Sequence, residues 1–447
     1  MTRESSLRKR ADAERMLPTA PPEVAHRLDA SDDTTTASAG DCVNPSDEST
    51  KLIGIEGRWY DVTNFTAFHP GGEIIEQFVG CDATAAFHAF HQGRNVLKHR
   101  RPVGSYTPDD SDPARRAFEN LRQYFDREGY FRASWRWYPA KFAVIAALLA
   151  AAVYAIACRQ EALAHACGGL LLASFWQQCG FLMHDAMHTH LTNVRRIDHA
   201  VGVVVGTCCI GISATWWRDE HFVHHALTNV VDYARRFADP QMWEATWAQD
   251  AKLFPYFATR WHRAAVRVQH LTFVPLCVLA GRVAIVVDSF SGRRPWYEWL
   301  AAAVHWVCVS WLLSTLPSWR EACVVYGIAC MGEGVLHIQL LISHYAKPFR
   351  EQRVMQRTDF YRFQVEANIN IANPPWLDWF HGGLNLHIEH HLFPRMPRCH
   401  FRRASLHVRR VCKELGIVYD ECSWTDAVRR TLTKLKTMSE HFSLDPR

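Results

Sequence analysis

The chain has 447 residues, 48% of them hydrophobic and 21% charged, and a formal charge of only +5. That length accommodates one small accessory domain and one large body. So slight a charge argues against a nucleic-acid partner, and cationic clusters are read locally as membrane flanks. The 14 cysteines form no CxxC pair, which excludes a zinc ribbon and suggests reduced thiols; histidine, at 25, is the anomaly.

The first residues, MTRESSLRKRADAERM, hold no apolar stretch, so a signal peptide is not expected. Residues 1–48 are polar and are predicted as a disordered tail. The chain becomes globular from Lys51 to Tyr106, giving a small domain over 49–107. Residues 107–112 (TPDDSD) form a linker, and 114–135 an Arg-rich helical approach to the membrane.

Apolar runs follow at 140–157, 162–182, 299–316 and 322–342, each about long enough to cross a hydrocarbon core of roughly 30 Å. Two further runs, 200–214 and 268–288, are read as interfacial or buried. The first is short and rich in Gly and Thr; the second carries Gly281 and Arg282. The loop from 183 to 298 holds about a dozen Lys and Arg, and the opposite loops little beyond Arg159 and Arg320. The positive-inside rule then places both termini and the long loop in the cytosol. The body is expected over 114–430, with a C-terminal tail over 431–447.

Two constellations carry chemistry. The first is YDVTNF…His69-Pro70-Gly71-Gly72, followed by GCDAT and His91. Two imidazoles on opposed elements can clamp a haem iron from both faces, which leaves no open position and suits electron transfer. The Pro-Gly-Gly turn lets the backbone present His69, and Phe65, Phe68, Phe78, Phe87 and Phe90 supply apolar walls. His88 is the rival to His91 as second ligand. The stretch resembles cytochrome b5 over about fifty-five residues, and the resemblance implies haem b held by His69 and His91 in a small α+β domain.

The second constellation is three histidine clusters: His184-Asp185-Ala186-Met187-His188, His221-Phe222-Val223-His224-His225 and His387-Ile388-Glu389-His390-His391. On a helix, positions i, i+3 and i+4 share a face, so each cluster aims two or three imidazoles one way. Eight imidazoles suffice for two metal ions. Nitrogen donors without thiolate suit iron, zinc or copper, and HDAMH lacks the glutamate of the HExxH zinc-protease pattern.

From about Phe118 to Phe401 the chain resembles the integral-membrane fatty acid desaturases and hydroxylases, in their cytochrome b5-fused front-end branch. The resemblance implies a diiron centre held by His184, His188, His221, His224, His225, His387, His390 and His391, with His344 in LLISHYAKPF as a further ligand. The fold implied is mostly α: a four-helix integral-membrane body with a cytosolic diiron cap, plus the haem domain. The third box departs from the branch's usual Gln-x-x-His-His by having His387 first, which leaves metal binding intact but bears on regiochemistry. Asp185, Asp219 and Glu389 are candidates to orient the imidazoles. His381 is read as a pocket or supporting residue, His305 and His199 as ordinary polar residues. Trp216, Trp217 and Trp376 are read as interface anchors, with a place along the acyl tunnel as the alternative.

An unactivated C–H bond is beyond acid–base groups; breaking it needs dioxygen, metal with open positions, and two external electrons. The expected function is therefore O2-dependent desaturation of a fatty acyl chain, carried on coenzyme A or a phospholipid. The electrons would come from NAD(P)H through a cytochrome b5 reductase, and the setting is the endoplasmic reticulum membrane. Sphingoid-base desaturation, fatty acyl hydroxylation and a non-catalytic haem-binding scaffold are the rivals.

Overall fold

The computed structural model describes residues 50–92, 96–109, 111–232, 238–240 and 246–444; the tail expected over 1–48 lies outside them. The chain begins with a small antiparallel sheet, β1 (Leu52–Ile55), β2 (Arg58–Asp61) and β3 (Gly104–Ser105), in that spatial order. Glu56 and Gly57 both take positive φ, 52° and 75°, the geometry a two-residue hairpin demands. Ile53, Ile55, Tyr60 and Val62 form its core, on which Phe65, Phe78 and Phe87 pack. Helix α1 (Thr84–His91) closes this module, and α2 (Pro113–Arg127) leads away from it. Asp112 caps α2 by accepting from the Ala114 N–H, and Pro113 occupies the first helical position, where its missing N–H costs nothing. Cys81 is disulfide-bonded, against the reduced state expected, whereas twelve other described cysteines are free.

The body opens with α3 (Trp137–Ala157), α4 (Ala162–Met187), α5 (Arg195–Gly202) and α6 (Ala214–Ala226). Then come α7 (Arg260–Arg267), α8 (Gln269–Ser289), α9 (Trp296–Ser314) and α10 (Trp319–Leu341). Helix α4 packs against α3 and α10, and α10 against α8. Small residues let them approach: a Cβ at Gly169 would lie 2.9 Å from the Val325 carbonyl, and one at Gly334 2.6 Å from that of Val278. Large apolar side chains such as Leu163, Leu271, Leu279, Val307 and Trp311 stand exposed on these helices. Such faces fit lipid and not water.

Among the described helices, α3, α8 and α10 are long and apolar enough to cross a membrane. Helices α4 and α9, over the other two expected spans, have the length but carry more polar groups, among them Gln177, Gln178, Glu298 and His305. Helix α8 meets the criterion although 268–288 was expected to be interfacial or buried. The charge that weighed against it, Arg282, is turned inward: it is 2% exposed, lies 3.6 Å over the Trp176 ring and donates to the Ile210 carbonyl.

Beyond α10 lies a compact cap of α11 (Gln352–Arg357), α12 (Phe360–Glu366), α13 (Asp378–His381), α14 (His387–Leu392), α15 (Phe401–Glu414) and α16 (Trp424–Leu444). Two short parallel pairs, Val230–Val231 with Arg350–Glu351 and Asn370–Ile371 with Glu421–Cys422, tie it together. Residues 431–444, expected as part of a tail, are instead the second half of α16. Leu435, Met438 and Phe442, at helical spacing, bury against Phe254, Phe257 and Val266.

Candidate metal centre and haem site

His69 sits on the turn between two 3-10 segments, Thr66–Phe68 and Gly72–Phe78, and His91 ends α1. Their ring centres are 6.2 Å apart. That gap holds one metal atom bonded to both rings at about 2 Å per bond. In each ring Nδ1 is engaged by a backbone carbonyl, Gly72 for His69 (3.2 Å) and Phe87 for His91 (3.1 Å), which frees Nε2 to ligate. A Cβ at Gly71 would come within 2.9 Å of the His69 ring, so glycine is what lets the turn pass this close. Burial lowers the His69 pKa, against the opposing pull of the Gly72 carbonyl, and so favours the neutral ring a metal needs. His88 is committed elsewhere: its nitrogens meet Glu119 at 3.0 Å and Glu56 at 2.8 Å.

The histidine boxes come from the last turn of α4, from α6 and from α14, and His344 stands just past the end of α10. Ser213 starts α6 by accepting from Trp216 N–H, and is itself held by Glu298 of α9, fixing α6 against the bundle. Gly382 (φ 60°) lets the chain turn under Phe181 of α4 before α14; any Cβ there would overlap the ring.

The imidazoles gather into two buried groups, His184, His188, His221 and His390, and His224, His344, His387 and His391. In each group one nitrogen per ring lies within 4.8 Å of the others. His225 lies between the groups, its ring 4.4 Å from that of His390 and 4.2 Å from that of His391, with its Nε2 3.0 Å from His221 Nε2. All nine expected imidazoles therefore converge. Nε2 atoms face one another at 3.0 Å (His184 and His390) and 2.7 Å (His344 and His387), a spacing that suits shared coordination. Both nitrogens of His188 and Nε2 of His391 are buried with no hydrogen-bond partner, as ligand atoms awaiting a metal would be.

Burial, reinforced by neighbouring imidazoles, holds His225, His344, His390 and His391 well below the ordinary imidazole range, and brings His387 to about 3. These rings are thus neutral at pH 7, the form that binds metal.

The orienting groups differ from those expected. Asp239 accepts from His224 Nδ1 at 2.9 Å through both carboxylate oxygens, and Gln364 Oε1 accepts from His391 Nδ1 at 3.0 Å. Carbonyls of Leu384 and Ala367 serve His387 and His344. Asp219 is exposed and paired with Arg218, while Glu389 bonds Asn370 and Tyr419 rather than an imidazole. Asp185 pairs with Arg398 at 2.5 Å and lies 3.7 Å from His184 Nδ1. Trp217, expected as an interface anchor, is buried and stacks on His221 at 4.1 Å, whereas Trp376 is exposed. His381 meets Gln339 at 3.3 Å and lines a small cleft, with room for about one water, beside Phe181, Ile342, Leu384 and Trp424.

Buried imidazole pairs over an apolar helical bundle, with a two-histidine module docked beside them, define a membrane oxidoreductase of the histidine-box class with its own cytochrome b5 unit. Comparison with known proteins narrows this further: residues 161–423 match the fatty acid desaturase family, and 43–126 the cytochrome b5-like haem/steroid binding domain. The chain belongs to the fatty acid desaturase family. It is 30% identical to an acyl-lipid (9-3)-desaturase of Borago officinalis, over 86% of this chain and 89% of the relative. It is also 30% identical to a delta(8)-fatty-acid desaturase of Helianthus annuus (88% of each chain), and 28% identical to a delta(6)-fatty-acid desaturase of Caenorhabditis elegans (87% and 96%). The protein is thus a fatty acid desaturase, an oxidoreductase whose b5 domain implies haem, whose histidine clusters suit iron and whose apolar helices suggest a place in a membrane. These relatives do not favour the hydroxylase, sphingoid-base or scaffold readings.

Proposed function

We propose that the chain introduces a cis double bond towards the carboxyl end of a lipid-linked fatty acyl chain. Relatives named as delta(6), delta(8) and acyl-lipid desaturases support that position and carrier. The observation that carries the reading is the convergence of nine buried imidazoles into two adjoining groups. His184, His188, His221 and His390 would hold one iron, and His224, His344, His387 and His391 the second, with His225 within reach of both. His69 and His91 would hold haem b.

When bound, the iron pair supplies the oxidising power, drawn from dioxygen and two electrons, that removes two hydrogens from adjacent carbons with water as the other product. The protein's part is placement and exclusion. Asp239 and Gln364 fix the rings of His224 and His391, and Trp217 and Phe222 pack against His221 and His188 and exclude water. The acyl chain would reach the metals from the bilayer, between the helices. The reductant would arrive from NAD(P)H through a cytochrome b5 reductase.

Four spans, α3, α4, α9 and α10, carry this site in the endoplasmic reticulum membrane, with the cap, the haem module and both termini in the cytosol. Helix α8 is tied at its start to Ala248 and to Leu435 of the cap, and at its end to Ser213, which starts the histidine-bearing α6. That supports its lying along the cytosolic interface, so the even number of spans keeps every histidine cluster on one side. In domain terms, 49–107 is the haem module and the body begins near 114.

The test is expression in a desaturase-poor yeast fed defined fatty acids, with product double bonds located by mass spectrometry. A new cis bond near the carboxyl end is expected; a hydroxylated product, or a new bond confined to sphingoid bases, contradicts the proposal.

A further inference from the structure

The haem module is held against the cap by polar contacts and by two apolar ones; in the first, Ala85, Ala86 and Ala89 join the core of Phe118, Tyr361, Ile388 and Leu392. On the polar side, Glu119 receives His88, Arg122 and the Tyr361 hydroxyl, and Asp112 pairs with Arg362 at 2.8 Å. The Gln356 side chain donates to the Gln77 carbonyl at 2.8 Å. In the second apolar contact, Ile74 and Phe90 of the haem module pack with Val223 against a buried cluster of Ala226, Leu227, Val230, Met355 and Phe363. Phe90 also meets the Phe360 ring at 6.3 Å.

The members of this contact have telling neighbours. Phe90 directly precedes His91. Val223 directly precedes His224, and Ala226 directly follows His225. Phe363 directly precedes Gln364, which is fully buried and is bonded at both ends: Oε1 accepts from His391 Nδ1 at 3.0 Å, and Nε2 donates to the His225 carbonyl at 2.7 Å. A ligand of the haem pair and three of the metal ligands therefore flank a single packed patch. Electron tunnelling falls off steeply with distance, and more steeply across gaps than through packed or hydrogen-bonded atoms.

We propose that this patch is a fixed electron bridge within one chain, running from His91 through Phe90 across to Phe363 and on through Gln364 to His391. The inference rests on the reading of His69 and His91 as haem ligands and of the boxes as an iron site. One electron crosses per event: ferrous haem becomes ferric, and one ferric iron becomes ferrous. Two crossings reduce the pair, and the haem is reduced again each time by a flavin reductase drawing on a reduced nicotinamide. Phe363 and Gln364 are positioning residues, touching neither substrate nor haem.

The test is flash photoreduction of the haem in full-length protein loaded with haem and ferric iron, following the decay of the ferrous-haem absorbance. Wild type is expected to decay with a rate independent of protein concentration. Phe363→Ala is expected to slow the decay about tenfold, because a truncated ring leaves a void its surroundings do not refill. Haem content, iron content and the rate of haem reduction by reductase stay as in wild type. Phe363→Leu, which keeps the patch filled, is expected to restore most of the rate. A wild-type decay in both Phe363→Ala and Phe90→Ala overturns the bridge, and so does a rate proportional to protein concentration. If iron-loaded wild type decays no faster than iron-stripped protein, the reading of the boxes as the electron acceptor fails, and the bridge with it.

Discussion

The haem module and the cap each gather imidazoles suited to a metal, by opposite means. His69 and His91 come from one short stretch, stand partly open to solvent and take their orientation from carbonyls a turn away. The cap draws its ligands from segments far apart in the chain, with His184 and His390 separated by 206 positions, and buries every one of them. A local site can form wherever its turn forms. A convergent one exists only when the helical bundle and the cap are both in place. Damage at the haem should therefore be confined to the haem, whereas loss of one cap ligand should cost the whole non-haem site.

The sharpest way to break that contrast is to remove a cap ligand. His188→Ala or His390→Ala is expected to abolish desaturation and to lose non-haem iron while the haem spectrum stays intact. Iron assay and absorbance on the same sample check it; a variant with full non-haem iron would contradict it. Next, His69→Ala should lose haem and nearly all desaturation but keep the non-haem iron. Loss of both metals together would show that the two sites fold as one.

A subtler change probes the orienting groups. Asp239→Asn removes the carboxylate that accepts from His224 Nδ1. Such losses typically cost about 10- to 100-fold in metal affinity or activity, read here as iron retained against a chelator. The smallest effect concerns how the two regions are joined. Burial opposes protonation of His88, but Glu119 and Glu56 raise its pKa above the ordinary value; partial burial pushes Glu119 up, yet hydrogen bonds from His88 and Arg122 outweigh it and bring Glu119 down to about 2. A raised folded-state pKa means the stabilisation is complete below about 6.5 and is lost as pH rises through the raised value. Protection against hydrogen exchange in α1, corrected for the intrinsic rise of exchange with pH, is therefore expected to fall from slightly acid to slightly alkaline pH. His88→Gln should flatten that dependence; an unchanged profile in the variant would rule out this contact as its cause.

The same contrast explains what could be read from the sequence. His69 and His91 lie in a local motif, and each box shows its helical face by spacing alone, so these residues were legible one by one. Asp239 and Gln364 were not. A single carboxylate and a single amide carry no pattern, and only the fold brings them to His224 and His391. Asp219 misled because adjacency to a box does not place a side chain within it; on α6 it faces solvent. The charge of Arg282 was visible, but not Trp176 and the Ile210 carbonyl, which accommodate it. In α16 the spacing of Leu435, Met438 and Phe442 was a signal open to view, outweighed by the many charged residues between them.

Everything turns on whether the two imidazole groups are metal sites fed by the haem beside them. Iron and haem assayed per chain on purified, fully loaded protein test this most directly. The account predicts three irons per chain, one of them in haem, with the other two lost together in His188→Ala. A wild-type protein that desaturates while carrying only its haem iron would contradict it.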